Sequence, residues 1–327
     1  MPARIMTLGY WIERAGHGAL RAVDLPPLGP GDVAVDAICT GVSPGTERLV
    51  GLARVPASLH AEMACRGLPG SVELPLLYGY SFVGRVASGA DRGRRAFLMR
   101  PHQQRAVAPS DELVWLPDEV PDARATLFPN LETARNAVWD AELSGDDRAV
   151  VIGAGPVGLL CAFVLARDLG RPAALVVDRD PERRSFAAAL PWVRDVAAPE
   201  QVGPGAFTHA LHASASGAGL QLALDAVGFE GLVVELSWHG DQAVSLQLGG
   251  AFHSQRKRLH ASQVGAVARA RRAEGHAART RAVLSLLCDD DLDRLIGPPT
   301  PFLDAPETFA ALYQSELDAL CPHFAYE

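Results

Sequence analysis

Short apolar and alternating segments, separated by Gly and Pro, fill roughly the first 117 residues of the chain. Three of them are GDVAVDAICTG (residues 31–41), SFVGRVASG (residues 81–89) and RRAFLMR (residues 94–100). Short runs of β-branched and aromatic residues bounded by turn residues are typical of strands. This part of the chain is therefore predicted to form a β-rich domain.

The pattern changes after LPDEVP, at residues 116–121. The next segment, PDARATLFPNLETARNAVWDAEL, carries apolar residues at helical spacing and predicts a helix. From Ala149 onwards, apolar strands alternate with helices. The predicted strands are AVVIGAG, AALVVDRD, THALHASAS, GLVVELSWHG and KRLHASQV, with a weaker candidate near residues 193–198. This alternation predicts an α/β domain built on a doubly wound parallel sheet.

Composition narrows the possible partners. The chain has 327 residues, which favours two domains, and a net charge of −8, which argues against binding to nucleic acid or to anionic membranes. The run at residues 149–166 has no charge, but its glycines and proline favour a strand, a turn and a helix over a membrane span. Five widely spaced cysteines without a CxxC pair, and no secretory signal at the N-terminus, predict a cytoplasmic protein.

The stretch VVIGAGPVG predicts a dinucleotide site. It places Gly153, Gly155 and Gly158 in the GxGxxG spacing, between an apolar strand and a helix that Pro156 and Val157 begin. The first glycine permits a tight turn, the second lets the backbone approach a pyrophosphate, and the third lets the helix pack closely on the strand.

The predicted cofactor is NAD, because Asp178 ends the next strand, 20 residues after Gly158. Its carboxylate would accept hydrogen bonds from the adenosine ribose and repel a 2′-phosphate. Arg179 follows directly, and a guanidinium there could stack on adenine or bind that phosphate, so NADP stays possible.

The order of these parts resembles the medium-chain dehydrogenase/reductase superfamily, the relatives of the zinc alcohol dehydrogenases. The matching stretches are GDVAVDAICTGVSPGTE, LYGYSFVGRV, NLETARNAV, VIGAGPVGLLCAFVLA and GLVVELSWHG. The resemblance implies a GroES-like catalytic domain at residues 1–120, a Rossmann domain at 121–268 and a segment at 269–327 that returns to the catalytic domain. GVSPGTE, PHQQ, NLETA and GAFHSQRKRLHASQVG are most similar to the branch of the bacteriochlorophyllide a dehydrogenases.

The zinc members of that superfamily hold their catalytic metal with cysteine, histidine and glutamate. The resemblance places those ligands at four positions of this chain: Ser43 (or Pro44), Tyr80, Ser81 and Pro129. Neutral hydroxyls and proline are poor ligands for zinc. The four-cysteine lobe of the structural zinc is also missing between residues 93 and 116, so no zinc is expected. Cys39 is either a displaced ligand or a small buried strand residue.

Carbonyl reduction without a metal needs another group to polarise the oxygen and supply a proton. Tyr80 is the first candidate and His102, in PHQQ, the second; each could also be a structural residue. Ser43 and Thr133 could hydrogen-bond substrate or nicotinamide, or could be satisfied by backbone.

Three functions fit these residues. The first is a zinc-independent NAD(P)-dependent oxidoreductase acting on an alcohol/carbonyl pair of a small-molecule substrate held between the domains. The second is a zinc-free reductase of activated C=C bonds, and the third is a dinucleotide-binding sensor or assembly protein without turnover. The resemblance also implies a homodimer joined along the edge strand KRLHASQV.

Overall fold

A computed structural model describes residues 5–63 and 71–327; Cys65 lies outside these ranges. The chain divides into two compact units. The β-rich unit contains Met1–Pro129 and Leu287–Glu327, and the parallel-sheet unit contains Asn130–Leu286.

Strands and helices follow one another in chain order. The strands are β1 Ile5–Arg14, β2 His17–Leu25, β3 Asp32–Gly41, β4 Leu76–Leu77, β5 Phe82–Val86, β6 Arg95–Leu98, β7 Arg105–Pro109, β8 Val114–Trp115, β9 Ala149–Ile152, β10 Ala174–Val177, β11 Asp195–Ala197, β12 Phe207–His212, β13 Val227–Glu235, β14 Arg258–Ala261, β15 Thr300–Pro301 and β16 His323–Ala325. The α-helices are α1 Pro44–Gly51, α2 Asp122–Ala125, α3 Phe128–Ala141, α4 Pro156–Leu169, α5 Pro181–Ala188, α6 Gly217–Ala226, α7 Ala251–Ser254, α8 Gly275–Leu287 and α9 Ala305–Gln314.

The β-rich unit is organised around β3. This strand pairs antiparallel with β5, β7 and β16, and the larger sheet runs in the order β15-β16-β3-β5-β6-β8. Its core contains Val35, Phe82 and Leu98, all at most 1% exposed. A smaller sheet, β2-β1-β4, completes the strands of this unit among the described residues. The predicted β-rich fold is confirmed.

The parallel-sheet unit has the strand order β11-β10-β9-β12-β13-β14, and every pairing in it is parallel. The order reverses direction beside β9, as in doubly wound folds that bind ligands at the carboxyl ends of their strands. All four residues of β9 are buried, which explains why its sequence is continuously apolar. The predicted doubly wound sheet is confirmed.

The uncharged run at residues 149–166 forms β9, a turn and most of α4. Pro156 occupies the first turn of this helix and Gly170 ends it in a left-handed conformation. Within the parts of the chain that the structure describes, no helix is both long enough and apolar enough to cross a membrane.

The unit boundaries differ from the predicted domain limits. The change of unit at residue 129/130 falls inside α3, and residues 269–286, expected in the returning segment, belong to the parallel-sheet unit. Arg279 on α8 explains the second difference. It is 4% exposed and donates to Glu132 and Asn136 on α3, so these tertiary contacts hold α8 in this unit.

Candidate functional site

The turn between β9 and α4 has a shape that glycine makes possible. Gly153 has a φ of +109°, and a Cβ atom there would lie 2.9 Å from the backbone nitrogen of Ser214. A Cβ atom on Gly158 would lie 1.9 Å from the carbonyl oxygen of Gly153. Glycine at these two positions is therefore required by the turn and by the packing of α4 on β9.

Gly155 is different, because the fold does not require a glycine there. Its backbone is extended, with φ −81° and ψ 178°. The nearest atom to a Cβ added at Gly155 would be Nη1 of Arg183, at 3.8 Å. The space beside Gly155, at the amino end of α4, is open to a ligand, and the half-buried Pro156 and Val157 form the first turn of the helix there.

Asp178 lies beside this turn, just after β10. Its Oδ2 accepts a hydrogen bond from the backbone N–H of Ala154, at 2.8 Å, and its Oδ1 accepts from the N–H of Asp180, at 2.9 Å. Each carboxylate oxygen has a second lone pair, which a ribose hydroxyl could use. Arg179 is exposed. The residues present at this turn therefore fit a dinucleotide.

Arg183 was not singled out from the sequence. It lies on the first turns of α5 with its side chain half exposed, and its Nη1 is the atom nearest the open space at Gly155. A guanidinium is well suited to a phosphate. The signal was present in PERRSF, where two arginines follow a proline that begins a helix.

A buried hydrogen-bond chain occupies the β-rich unit around His102. The Nε2 of His102 lies 2.8 Å from Oε2 of Glu47, and its Nδ1 lies 2.7 Å from Oγ1 of Thr40. The Oγ1 of Thr40 lies 3.0 Å from the phenol oxygen of Tyr326. His102 and Glu47 are 1% and 2% exposed, so both ring nitrogens are satisfied away from solvent.

The chemistry of these groups determines which atom donates in two of these hydrogen bonds. The Glu47 carboxylate only accepts, so His102 donates to it from Nε2, and the hydroxyl of Thr40 is the partner of Nδ1. Burial raises the pKa of the Tyr326 phenol, which therefore stays protonated and donates to Thr40. His102 was a candidate from the sequence, and the fold pairs it with Glu47.

Tyr80 lies just before β5 and is 9% exposed. Its ring meets the ring of Tyr78 edge to face, with centroids 6.1 Å apart. The carbonyl of Tyr78 accepts a hydrogen bond from the backbone N–H of His102, at 3.1 Å. The first and second candidate proton donors therefore lie on neighbouring segments of the same unit.

The other positions that the resemblance assigns to zinc ligands are also buried in this unit. Ser81 donates its hydroxyl to the carbonyl of Thr126, at 2.7 Å, and the backbone N–H of Ser43 donates to Oε1 of Glu47, at 2.7 Å. Cys39 donates to the carbonyl of Asp122, and burial raises the pKa of its thiol. This donor set does not fit zinc.

Thr133 lies on α3 in the parallel-sheet unit and is half-buried. The neighbouring Glu132 accepts from Arg279, with Oε1 and Nε 3.3 Å apart. Burial raises the pKa of Glu132, although the arginine acts in the opposite direction. Glu132 thus joins α3 to α8.

A second cluster of ionisable side chains lies at the carboxyl ends of β12 and β13. The Nδ1 of His212 is 2.7 Å from Oε2 of Glu235, and its Nε2 is 2.7 Å from Oγ of Ser214. The Nε2 of His239 is 3.7 Å from Oε2 of Glu235. Burial raises the pKa of Glu235, but hydrogen bonds from His212 and Ser237 lower it further, so its net shift is downward.

No motif in the sequence had indicated this cluster. Its residues lie in two stretches that were assigned to strands, THALHASAS and GLVVELSWHG. Because parallel strands end at the same edge of a sheet, a His at the end of one and a Glu at the end of the next could have been expected to meet there.

Comparison with solved structures identifies the fold. Solved structures share the whole fold. One is the short chain alcohol dehydrogenase of Escherichia coli CFT073 complexed with NADH, which matches with a TM-score of 0.78. The match covers 98% of this chain and 99% of that one, at 14% identity. S. aureus TarJ in complex with NADPH matches with a TM-score of 0.75, covering 99% and 100%, at 14% identity. The fold is that of the medium-chain dehydrogenases, as predicted.

Curated relatives match part of the chain. The L-threonine 3-dehydrogenase of Chelativorans sp. (strain BNC1) is 28% identical over 222 residues, which are 56% of this chain and 57% of that enzyme. The uncharacterized zinc-type alcohol dehydrogenase-like protein YphC of Escherichia coli K12 is 33% identical over 90 residues, 27% of this chain and 25% of that protein. No family model matches the chain. The chain thus spans little more than half of the first relative's length.

Proposed function

We propose that this protein is an oxidoreductase that transfers hydride between NAD(H) and an alcohol/carbonyl pair of a small-molecule substrate without zinc. The observation that carries the proposal is the turn at Gly155. This turn leaves room for a ligand that the fold itself does not need, and the carboxylate of Asp178 lies beside it. The dehydrogenase names of the relatives, and the NADH and NADPH bound in similar folds, support the same class of cofactor.

The nicotinamide would supply the hydride. This chain's residues would bind and orient it: the backbone at Gly155 and the amino end of α4 would face the pyrophosphate, and Asp178 would accept from the adenosine ribose. Arg183 would add a charge-assisted contact to phosphate.

Zinc independence is supported by the donor set at Ser43, Tyr80, Ser81 and Pro129, which offers no imidazole, thiolate or carboxylate. In place of a metal, we propose that the Tyr80 phenol polarises the substrate oxygen and exchanges the proton. His102 is then a positioning residue, because both of its ring nitrogens are already bonded to Glu47 and Thr40. Ser43 and Thr133 stay candidates for contacts to substrate or nicotinamide.

Chelator-treated protein is expected to bind NADH more tightly than NADPH, because the Asp178 carboxylate repels a 2′-phosphate. Energy transfer from the five tryptophans to the reduced nicotinamide measures both affinities. Asp178→Ser is expected to reduce the ratio of the NADH affinity to the NADPH affinity about tenfold or more, since repulsion between like charges is worth at least ~1.4 kcal/mol. Glu182→Gln, which changes an exposed acid nearby on α5, is the matched control.

A preference for NADPH in the unaltered protein would mean that Arg179, and not Asp178, determines which cofactor binds. Binding of neither cofactor would contradict the proposal. Binding without turnover on a panel of alcohols, ketones and enones would favour the sensor function instead, and turnover on enones alone would favour a C=C reductase.

Tyr80→Phe is expected to lower kcat about 100-fold while the affinity for NADH is unchanged, because a positioned proton donor contributes about that factor or more. Tyr78→Phe is the matched control, since both tyrosines are buried and their rings are in contact. Equal activity of the two variants would remove Tyr80 from the mechanism.

A homodimer and a cytoplasmic location stay predictions, as does the resemblance to the bacteriochlorophyllide a dehydrogenases. The expected dimer edge, β14, is the last strand in its sheet, and its four residues are exposed. Sedimentation measures the assembly state, and a monomer would contradict pairing along β14. The net charge of −8 supports the expectation of no nucleic-acid and no membrane partner.

A further inference from the structure

A transition-metal site is the strongest feature that the proposed function leaves unused. Across residues 5–63 and 71–327, the group that brings three side chains of the His, Cys, Asp and Glu types together is His212, Glu235 and His239, with ligand atoms within 4.8 Å of one another. We propose that these three side chains bind one divalent transition-metal ion such as Zn²⁺ or Co²⁺.

The parallel register of β12 and β13 builds this group. His212 and Glu235 are paired across the two strands, each as the last residue of its strand. His239 follows Glu235 by four residues and turns its ring almost parallel to that of His212, with centroids 6.2 Å apart and planes inclined by 16°. The Oε2 atom of Glu235 therefore lies within 4 Å of a ring nitrogen of each imidazole.

The spacing suits a tetrahedral ion. Ligand atoms held 2.0–2.1 Å from such an ion lie about 3.3 to 3.4 Å apart. The separations between the Glu235 oxygen and the two ring nitrogens are 2.7 Å for His212 and 3.7 Å for His239, which bracket that value. Each of these two separations differs from that value by roughly half an ångström.

One ring nitrogen of the cluster also lacks a hydrogen bond. The Nε2 of His239 is buried and makes no hydrogen bond, and the nearest carboxylate oxygen, Oε2 of Glu235, is 3.7 Å away. A buried polar atom that lacks a partner is costly, and a bound ion would satisfy it.

The surroundings match those of bound metals. An imidazole that binds a metal through one nitrogen usually donates the N–H of the other to a neighbouring oxygen. His212 faces Glu235 through Nδ1, and its Nε2 lies 2.7 Å from Oγ of Ser214. The other oxygen of Glu235 accepts from the backbone N–H of Ser237, at 2.6 Å.

The ligand types identify the class of ion. Two imidazoles and one carboxylate favour zinc, cobalt, nickel or iron over magnesium and calcium, which require several oxygen ligands. Three protein ligands leave a fourth position open, as in catalytic zinc sites. The expectation of a metal-free protein came from other positions, in the β-rich unit, so it does not extend to this cluster.

The test is a titration of chelator-stripped full-length protein with Co²⁺, followed by displacement with Zn²⁺. The unaltered protein is expected to bind one equivalent with the ligand-field absorption of a four-coordinate ion. His239→Ala and Glu235→Gln are expected to lose this absorption. Ser214→Ala is expected to bind Co²⁺ with an affinity lower by a factor of about ten or more. Because no dinucleotide is added, the result is independent of the proposed hydride transfer.

His260→Ala is the matched control, because His260 lies 3.6 Å from Asp140 in the same unit but, among the residues that the structure describes, belongs to no group of three. It should bind Co²⁺ as the unaltered protein does, and the thermal unfolding of each variant shows whether it is folded. Absence of binding to the unaltered protein would overturn the proposal. So would binding that the His239 and Glu235 variants retain, or a thiolate charge-transfer band, which would assign the ion to a cysteine.

Discussion

Gly155→Asp is expected to weaken NADH binding about 1,000-fold or more while the protein stays folded. A carboxylate at this position would face the pyrophosphate, and like charges brought together cost several kcal/mol, at ~1.4 kcal/mol for each tenfold loss of affinity. The fold tolerates the new side chain, because the nearest atom to its Cβ is Nη1 of Arg183, at 3.8 Å. Tryptophan energy transfer measures the affinity, and thermal unfolding measures the stability.

Gly145→Asp is the matched control. Gly145 is an exposed glycine of the same unit with no atom within 4 Å of an added Cβ, so the same change adds the same charge away from the turn. Its affinity for NADH should equal that of the unaltered protein. If Gly155→Asp bound NADH equally well, the open space at Gly155 would not be the phosphate site, and the proposed function would lose its main support.

Glu47→Ala is expected to lower the free energy of unfolding by about 2–4 kcal/mol, because it removes the acceptor of two buried hydrogen bonds, each worth about 1–3 kcal/mol when its donor is left buried. The change removes the acceptor of two hydrogen bonds at once, one from the ring of His102 and one from the backbone N–H of Ser43. Both donors would lose this acceptor while they stay buried. Urea unfolding followed by fluorescence measures the loss.

Asp91→Ala is the control for that experiment. Asp91 pairs with Arg94 at the surface of the same unit, where the two side chains are 38% and 53% exposed. An exposed pair contributes at most ~1 kcal/mol, so this variant should unfold almost as the unaltered protein does. A loss at Glu47 no larger than the loss at Asp91 would mean that the chain from Glu47 to Tyr326 contributes little to stability.

Local features of the sequence were enough to predict the two types of sheet. The β-branched run before Gly153 and the punctuation of Gly and Pro after it predicted a strand, a turn and a helix, and β9 and α4 confirm this. The segment KRLHASQV was predicted to be the last strand of the parallel sheet, and β14 lies within it. Such patterns can be recognised in a sequence because a strand or a helix is specified by residues close together in the chain.

Contacts between distant residues could not be obtained in this way. Glu47 and His102 are 55 positions apart, and nothing in the sequence indicated that they meet. The extent of the parallel-sheet unit depended likewise on Arg279, which holds α8 to α3 across more than 140 positions.

The sequence specified the kind of each element and the glycine turn, because propensity, periodicity and turn chemistry act over a few neighbouring residues. The tertiary structure specified which ionisable side chains meet. His212 lies opposite Glu235 only because β12 and β13 pair in one register, and a shift of one residue would turn the side chains of one strand to the other face of the sheet. That register depends on how the whole sheet buries its apolar faces, which no single segment encodes.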